Sequence, residues 1–155
     1  MILTVEDLLL KYANYADARG KIKRDIESGA IYPLVRGIYE TDKSVSGMFL
    51  ASYIYGPSYL SFDYALAHHG MIPEAVYTYS SATFNKRKQK MYSNRFGDFV
   101  YRDVPSEVYS FGIKTIEENG YVCLMASAEK ALCDKLYAMS PVKSVKTLQE
   151  MLFSD

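Results

Sequence analysis

Residues 19–40 read Arg19-Gly-Lys-Ile-Lys-Arg-Asp-Ile-Glu-Ser-Gly-Ala-Ile-Tyr-Pro-Leu-Val-Arg-Gly-Ile-Tyr-Glu40, and this stretch decides how the N-terminal part of the chain folds. Ala18, Ile22 and Ile26 recur every four residues and draw a narrow apolar stripe along a predicted helix. Arg19 and Lys23 stand on one shoulder of the stripe, Lys21 and Arg24 on the other. Ser28-Gly29 supplies the stop, because glycine accepts the left-handed conformation that closes a helix. Two short apolar runs follow, separated by Arg36-Gly37. The pattern is helix, strand, turn, strand, with positive charge on the helix and again at the turn. A winged helix is written this way: its helix enters the major groove and its hairpin lies along the backbone, and both places need lysine or arginine. Arg19, Lys21, Lys23, Arg24 and Arg36 are the candidate contacts to double-stranded DNA. The plainer reading is a solvated helix face, since Asp17, Asp25 and Glu27 dilute the charge.

Working outward, Thr4-Val-Glu-Asp7 looks like an N-cap with an acidic first turn, and Val5, Leu8, Leu9 and Tyr12 fall at helical spacing over about 5–13. A helix is expected over 46–55, with Phe49, Leu50, Tyr53 and Ile54 on one face, and another over 61–69, capped by Ser61 and stopped by Gly70. After Pro73 the period changes. Residues 76–81, 88–92 and 97–102 read as strands of an antiparallel sheet. Asn119-Gly120 between two apolar runs is a strong hairpin signal. Ser127 caps a predicted helix to about Tyr137 with Ala128, Ala131, Leu132 and Leu136 inward, and a last helix is predicted over 142–152. The expected fold is α+β: a winged-helix segment over 1–44, then a mixed domain over 45–155 with an antiparallel sheet and flanking helices.

The 155 residues are 49% hydrophobic and 23% charged, enough to bury a core in one domain or two small ones. Eighteen basic residues balance eighteen acidic ones, so nucleic acid would have to be attracted by local patches. Charge is segregated along the chain. Lys86, Arg87, Lys88, Lys90, Arg95 and Arg102 face only Asp98 across 86–102, whereas 103–134 holds six acids against Lys114 and Lys130. Tyrosines interleave this region, and 15 tyrosines without a tryptophan suit half-buried surfaces that meet partners. Lys86, Arg87, Lys88, Lys90, Tyr92, Arg95 and Tyr101 are the candidate partner-binding residues.

Cys123 and Cys133 are too few for a zinc site and read as buried small hydrophobes. With no export signal at the N-terminus and no apolar run of membrane-spanning length, a cytoplasmic protein is expected. Phosphate-loop, dinucleotide, zinc-protease and serine-elbow motifs are all missing. His68-His69 is the pair that invites a catalytic role, but its place at a helix end favours a structural one. No enzyme, cofactor or metal is expected.

Three blocks, Gly56-Pro-Ser-Tyr-Leu-Ser-Phe-Asp-Tyr-Ala-Leu-Ala-His-His-Gly-Met-Ile-Pro-Glu-Ala-Val76, Gly97-Asp-Phe-Val-Tyr-Arg102 and Ala126-Ser-Ala-Glu-Lys-Ala-Leu-Cys-Asp-Lys-Leu-Tyr137, occur in order. Together they resemble the AbiEi family, antitoxins and transcriptional regulators of type IV toxin-antitoxin systems. The likeness runs from about residue 19 onward. It implies an N-terminal winged helix that represses its own operon and a C-terminal domain that opposes a nucleotidyltransferase toxin in defence against phage. Relatives continue into further helices beyond the position of Asp155, so the resemblance implies a shortened C-terminal domain. The alternative is a protein-interaction module that has lost DNA binding and contacts only the toxin or another partner.

Overall fold

The computed structural model describes residues 1–139, 145–146 and 149–150, and they form a mixed α+β protein. They divide into two compact units: Met1–Ser46 with Asn94–Phe96, and Gly47–Ser93 with the described residues from Gly97 onward.

The first unit runs β1 (Ile2–Thr4), α1 (Val5–Lys11), α2 (Ala18–Ser28), β2 (Tyr32–Val35) and β3 (Ile38–Glu40). Its antiparallel sheet has the order β1-β3-β2. The unit opens on a strand that local sequence does not announce: three residues find their partner in β3, with Ile2 opposite Glu40. Thr4 and Asp7 form the expected capping box on α1. Asp17 caps α2 by accepting from Gly20 N–H at 2.9 Å, and Gly29 ends it at φ 74°. Leu8, Tyr12, Ile22 and Ile31 make the core, with Leu3, Val5, Leu9, Ala18, Ile26 and Tyr39 packed around it. Full burial of each aliphatic side chain is worth about 1.5–3 kcal/mol.

The second unit opens with a single 3₁₀ turn at Gly47–Phe49 and one turn of helix, α3 (Ala51–Ile54), where the sequence predicts one continuous helix over 46–55. Tyr53 points outward at 48% exposure, contrary to its predicted inward face. Then follow β4 (Tyr59–Leu60), α4 (Phe62–His68), β5 (Tyr79–Thr83), β6 (Lys90–Asn94), β7 (Gly97–Asp103), β8 (Ile113–Glu118), β9 (Tyr121–Ala126) and α5 (Ala128–Ala138). The strand order is β6-β7-β5-β4-β9-β8. The expected antiparallel sheet is in fact mixed, for β5 pairs parallel with β7 and β4 parallel with β9. Alternating sequence reports that a segment is a strand, but its partner and direction are set by long-range packing. The hairpin at Asn119-Gly120 forms as expected, both residues taking positive φ of 51° and 80° between β8 and β9. The helix predicted over 142–152 lies largely outside the described residues.

One network organises the second unit's interior. Asp134 on α5 accepts hydrogen bonds from Tyr59 Oη and Ser61 Oγ, both at 2.7 Å, and pairs with Lys130 at 3.0 Å. Lys130 also donates to the Val108 carbonyl at 2.8 Å. Ser61 therefore does not cap α4 through its side chain, as the sequence suggests; its hydroxyl is drawn to the buried carboxylate instead. Such a site holds charge in a dry interior only because each group is satisfied. Burial, then the bond to Asp134, raises the Tyr59 hydroxyl far above its ordinary value.

Candidate functional site

Successive helical residues advance by about 100°, so the burial of Ile22 and Asp25 fixes which way the rest of α2 faces. Arg19, Lys23 and Arg24 are exposed on the outer side, with Glu27 among them. Lys23 is 79% exposed and its Nζ lies 3.9 Å from Glu27, a separation that contributes little in water. Arg36 is exposed at the turn between β2 and β3.

Lys21 does not belong with them. Its side chain is only 28% exposed and its ammonium lies 2.5 Å from the Asp25 carboxylate, which also accepts from Tyr12 Oη at 2.5 Å. The Lys21 bond, then the Tyr12 bond, hold the Asp25 carboxyl below the usual range. The bond to Asp25, with burial second, pushes Tyr12 up to about 12. The i,i+4 spacing of Lys21 and Asp25 is plain in the sequence, but Asp25 reads there as a solvated acid. Only the neighbouring Tyr12 makes it a buried anchor. Of the five candidate DNA contacts Lys21 alone is half-buried, with its ammonium held by the Asp25 carboxylate.

Arg95 clusters with this first unit. Its guanidinium lies 4.3 Å from the Tyr32 ring centre, Phe96 packs edge-on to Tyr32 at 6.1 Å, and Asn94 donates to the Leu34 carbonyl at 3.1 Å. Sequence reasoning grouped Arg95 with the basic strands of the second unit. Here it adds an exposed cation beside β2.

The candidate partner surface of the second unit separates into buried and exposed members. Tyr101 is fully buried and donates to the Ala51 carbonyl at 2.5 Å, so it cannot touch a partner. Its place in an alternating strand does not reveal which face is covered. Tyr92 is half-buried between Tyr55 and Tyr101 at ring separations of 6.0 and 5.9 Å. Lys86 is held by the Gly56 carbonyl at 3.1 Å and lies 5.0 Å from the centre of the Tyr55 ring. Arg87 and Lys88 are exposed and Lys90 is half-buried. The seven candidates therefore do not form one patch.

The two histidines sit at the C-terminal end of α4. His69 ends α4 with Nε2 at 2.8 Å from the Ala126 carbonyl, and His68 stacks on Tyr64. Cys123 is buried, which pushes its thiol up to about 11, whereas Cys133 is exposed, contrary to the expectation for it. A cavity of about 460 Å³ in the second unit is lined in part by Phe62, Asp63, Arg102 and Lys135, and Lys135 already pairs with Asp63 at 2.6 Å. Among the described residues no three metal-binding side chains converge, and no helix is long and apolar enough to cross a membrane. Comparison with protein-family models and with curated proteins finds no match.

Proposed function

We propose that this protein is a cytoplasmic antitoxin-type transcriptional regulator that binds operator DNA through its first unit and counteracts a nucleotidyltransferase toxin. The observation that supports the DNA half is the outer face of α2. Arg19, Lys23 and Arg24 are exposed there, and Arg36 sits on the hairpin that follows. The order strand, helix, helix, hairpin, with β1 beside β3, suits a winged helix without a leading helix. In that arrangement α2 enters the major groove and the β2–β3 turn meets phosphates. The antitoxin half rests on the resemblance of residues 56–76, 97–102 and 126–137 to the AbiEi family. The protein acts by binding, not by catalysis.

Mobility-shift titration with the DNA upstream of the protein's own gene tests the first half. Replacing Lys23 and Arg24 by alanine is expected to weaken binding roughly tenfold or more while the circular dichroism is unchanged. Growth of cells co-expressing the neighbouring nucleotidyltransferase tests the second half, and no rescue by the full chain would reject it.

One observation favours a pure protein-interaction module. Asp25 and Glu27 each lie near a lysine of α2, so its four basic residues carry two acids with them. A protein that rescues growth yet binds no promoter DNA would establish that alternative.

A further inference from the structure

We infer that the outer edge of β8 pairs with the β8 edge of a second copy of this chain, the two strands running antiparallel about a twofold axis at Ile116. β8 is the last strand in its sheet among the described residues, with Ile113 and Ile116 half-buried and the other four residues exposed. One side of it is taken by β9, from Ile113 opposite Ala126 to Glu118 opposite Tyr121. The other side presents a row of backbone donors and acceptors, which is a template for another strand.

Proteins commonly blunt such an edge with charge. Here the charges are of opposite sign, Lys114 against Glu117 and Glu118, and their spacing is self-complementary. A twofold axis perpendicular to a continuous sheet keeps every side chain on its own face. Because side chains alternate along a strand, a residue can then lie opposite only residues an even number of positions away. With the axis at Ile116, Lys114 of each copy faces Glu118 of the other, giving two opposite-charge pairs. Thr115 faces Glu117, hydroxyl to carboxylate, and half-buried Ile116 covers its own counterpart. Moving the axis to Thr115 would set Lys114 against Ile116 and Ile113 against Glu117. Moving it to Glu117 would set that carboxylate against itself. The axis at Ile116 alone among these three sets Lys114 opposite a carboxylate, and opposite-charge pairs directly across a ladder favour the pairing. The contact is short, so the dimer is weak and concentration-dependent. It uses no residue of the proposed DNA contact.

Sedimentation velocity on the full chain tests this through charge reversal. The parent protein is expected to shift from 17.6 kDa towards twice that mass as concentration rises. Lys114→Glu and Glu118→Lys should each weaken self-association roughly tenfold or more, because two opposite-charge pairs become two like-charge pairs. Mixing the two single variants should restore a dimer, since each then offers the other its missing sign, and the double variant should self-associate like the parent. Recovery on mixing also shows that both variants are folded. A parent that stays monomeric up to about 1 mM, single variants that dimerise undiminished, or a mixture that does not recover would overturn the inference.

Discussion

The two units anchor a helix with the same device at different depths. In the first, Lys21 and Asp25 on α2 pair at i,i+4 and Tyr12 donates to the carboxylate. In the second, Lys130 and Asp134 on α5 pair at i,i+4 and Tyr59 donates to the carboxylate. The lysine is 28% exposed in one and 8% exposed in the other. That difference sets what each device can do. In the shallow one the Tyr12 bond to Asp25 fixes the roll of α2 and so which of its cations face outward, while Lys21 retains access to water. The deep one is closed by Ser61 and the Val108 carbonyl, and no member can lose its partner without leaving a polar group dry.

The comparison is broken most forcefully at Asp134. Asp134→Ala leaves Lys130 without its counter-charge and the Tyr59 and Ser61 hydroxyls without their acceptor. A loss of about 3–5 kcal/mol is expected in urea unfolding. Asp25→Ala is expected to cost less, about 1–3 kcal/mol, because Lys21 can turn to solvent. Equal losses at the two sites would show that depth does not govern them.

Titration sharpens the contrast within the first unit. The folded-state value of Asp25 is depressed, so its contribution is present above the ordinary carboxylate value near pH 4 and is lost as pH falls through the lower, folded-state value. Tyr12 is raised to about 12, so its contribution is complete below its ordinary value of 10.0 and is lost as pH climbs through about 12. Tyrosine absorbance followed from about pH 9 to beyond 12 should show several late-titrating groups, one of which Asp25→Asn brings earlier, since the acceptor's charge is removed. An unchanged alkaline curve would contradict the assignment of that bond.

In both units the sequence makes local patterns legible and hides long-range pairing. Residues 19–40 were legible because a helix stripe, a glycine stop and a hairpin are local patterns. The Asn119-Gly120 turn was legible likewise. β1 was missed because three residues carry no period and their partner lies in β3. The parallel pairings were missed because β5 and β7 meet across an intervening strand of sequence. In the candidate sites, charge suggests exposure for Lys21 and ring type suggests it for Tyr101, whereas the fold half-covers the first and buries the second completely. The exposed cations Arg19, Lys23, Arg24 and Arg36 needed only the position of the apolar stripe and the turn.

The smallest structural effect is expected where the functional one is largest. Lys23→Ala and Arg24→Ala should each alter stability by less than about 0.5 kcal/mol, since both side chains are exposed. Thermal unfolding of the two variants checks this, and a large loss in either would return that side chain to the interior.

The salt dependence of binding to the upstream DNA, followed by fluorescence anisotropy, tests the central claim most directly. Four outward cations, Arg19, Lys23, Arg24 and Arg36, each displacing about 0.9 counterion, predict a log–log slope of about −3 to −4. Arg24→Ala should make that slope shallower by about 1, while Lys21→Ala leaves it unchanged. A slope near zero, or one that responds to Lys21 and not to Arg24, would contradict the account.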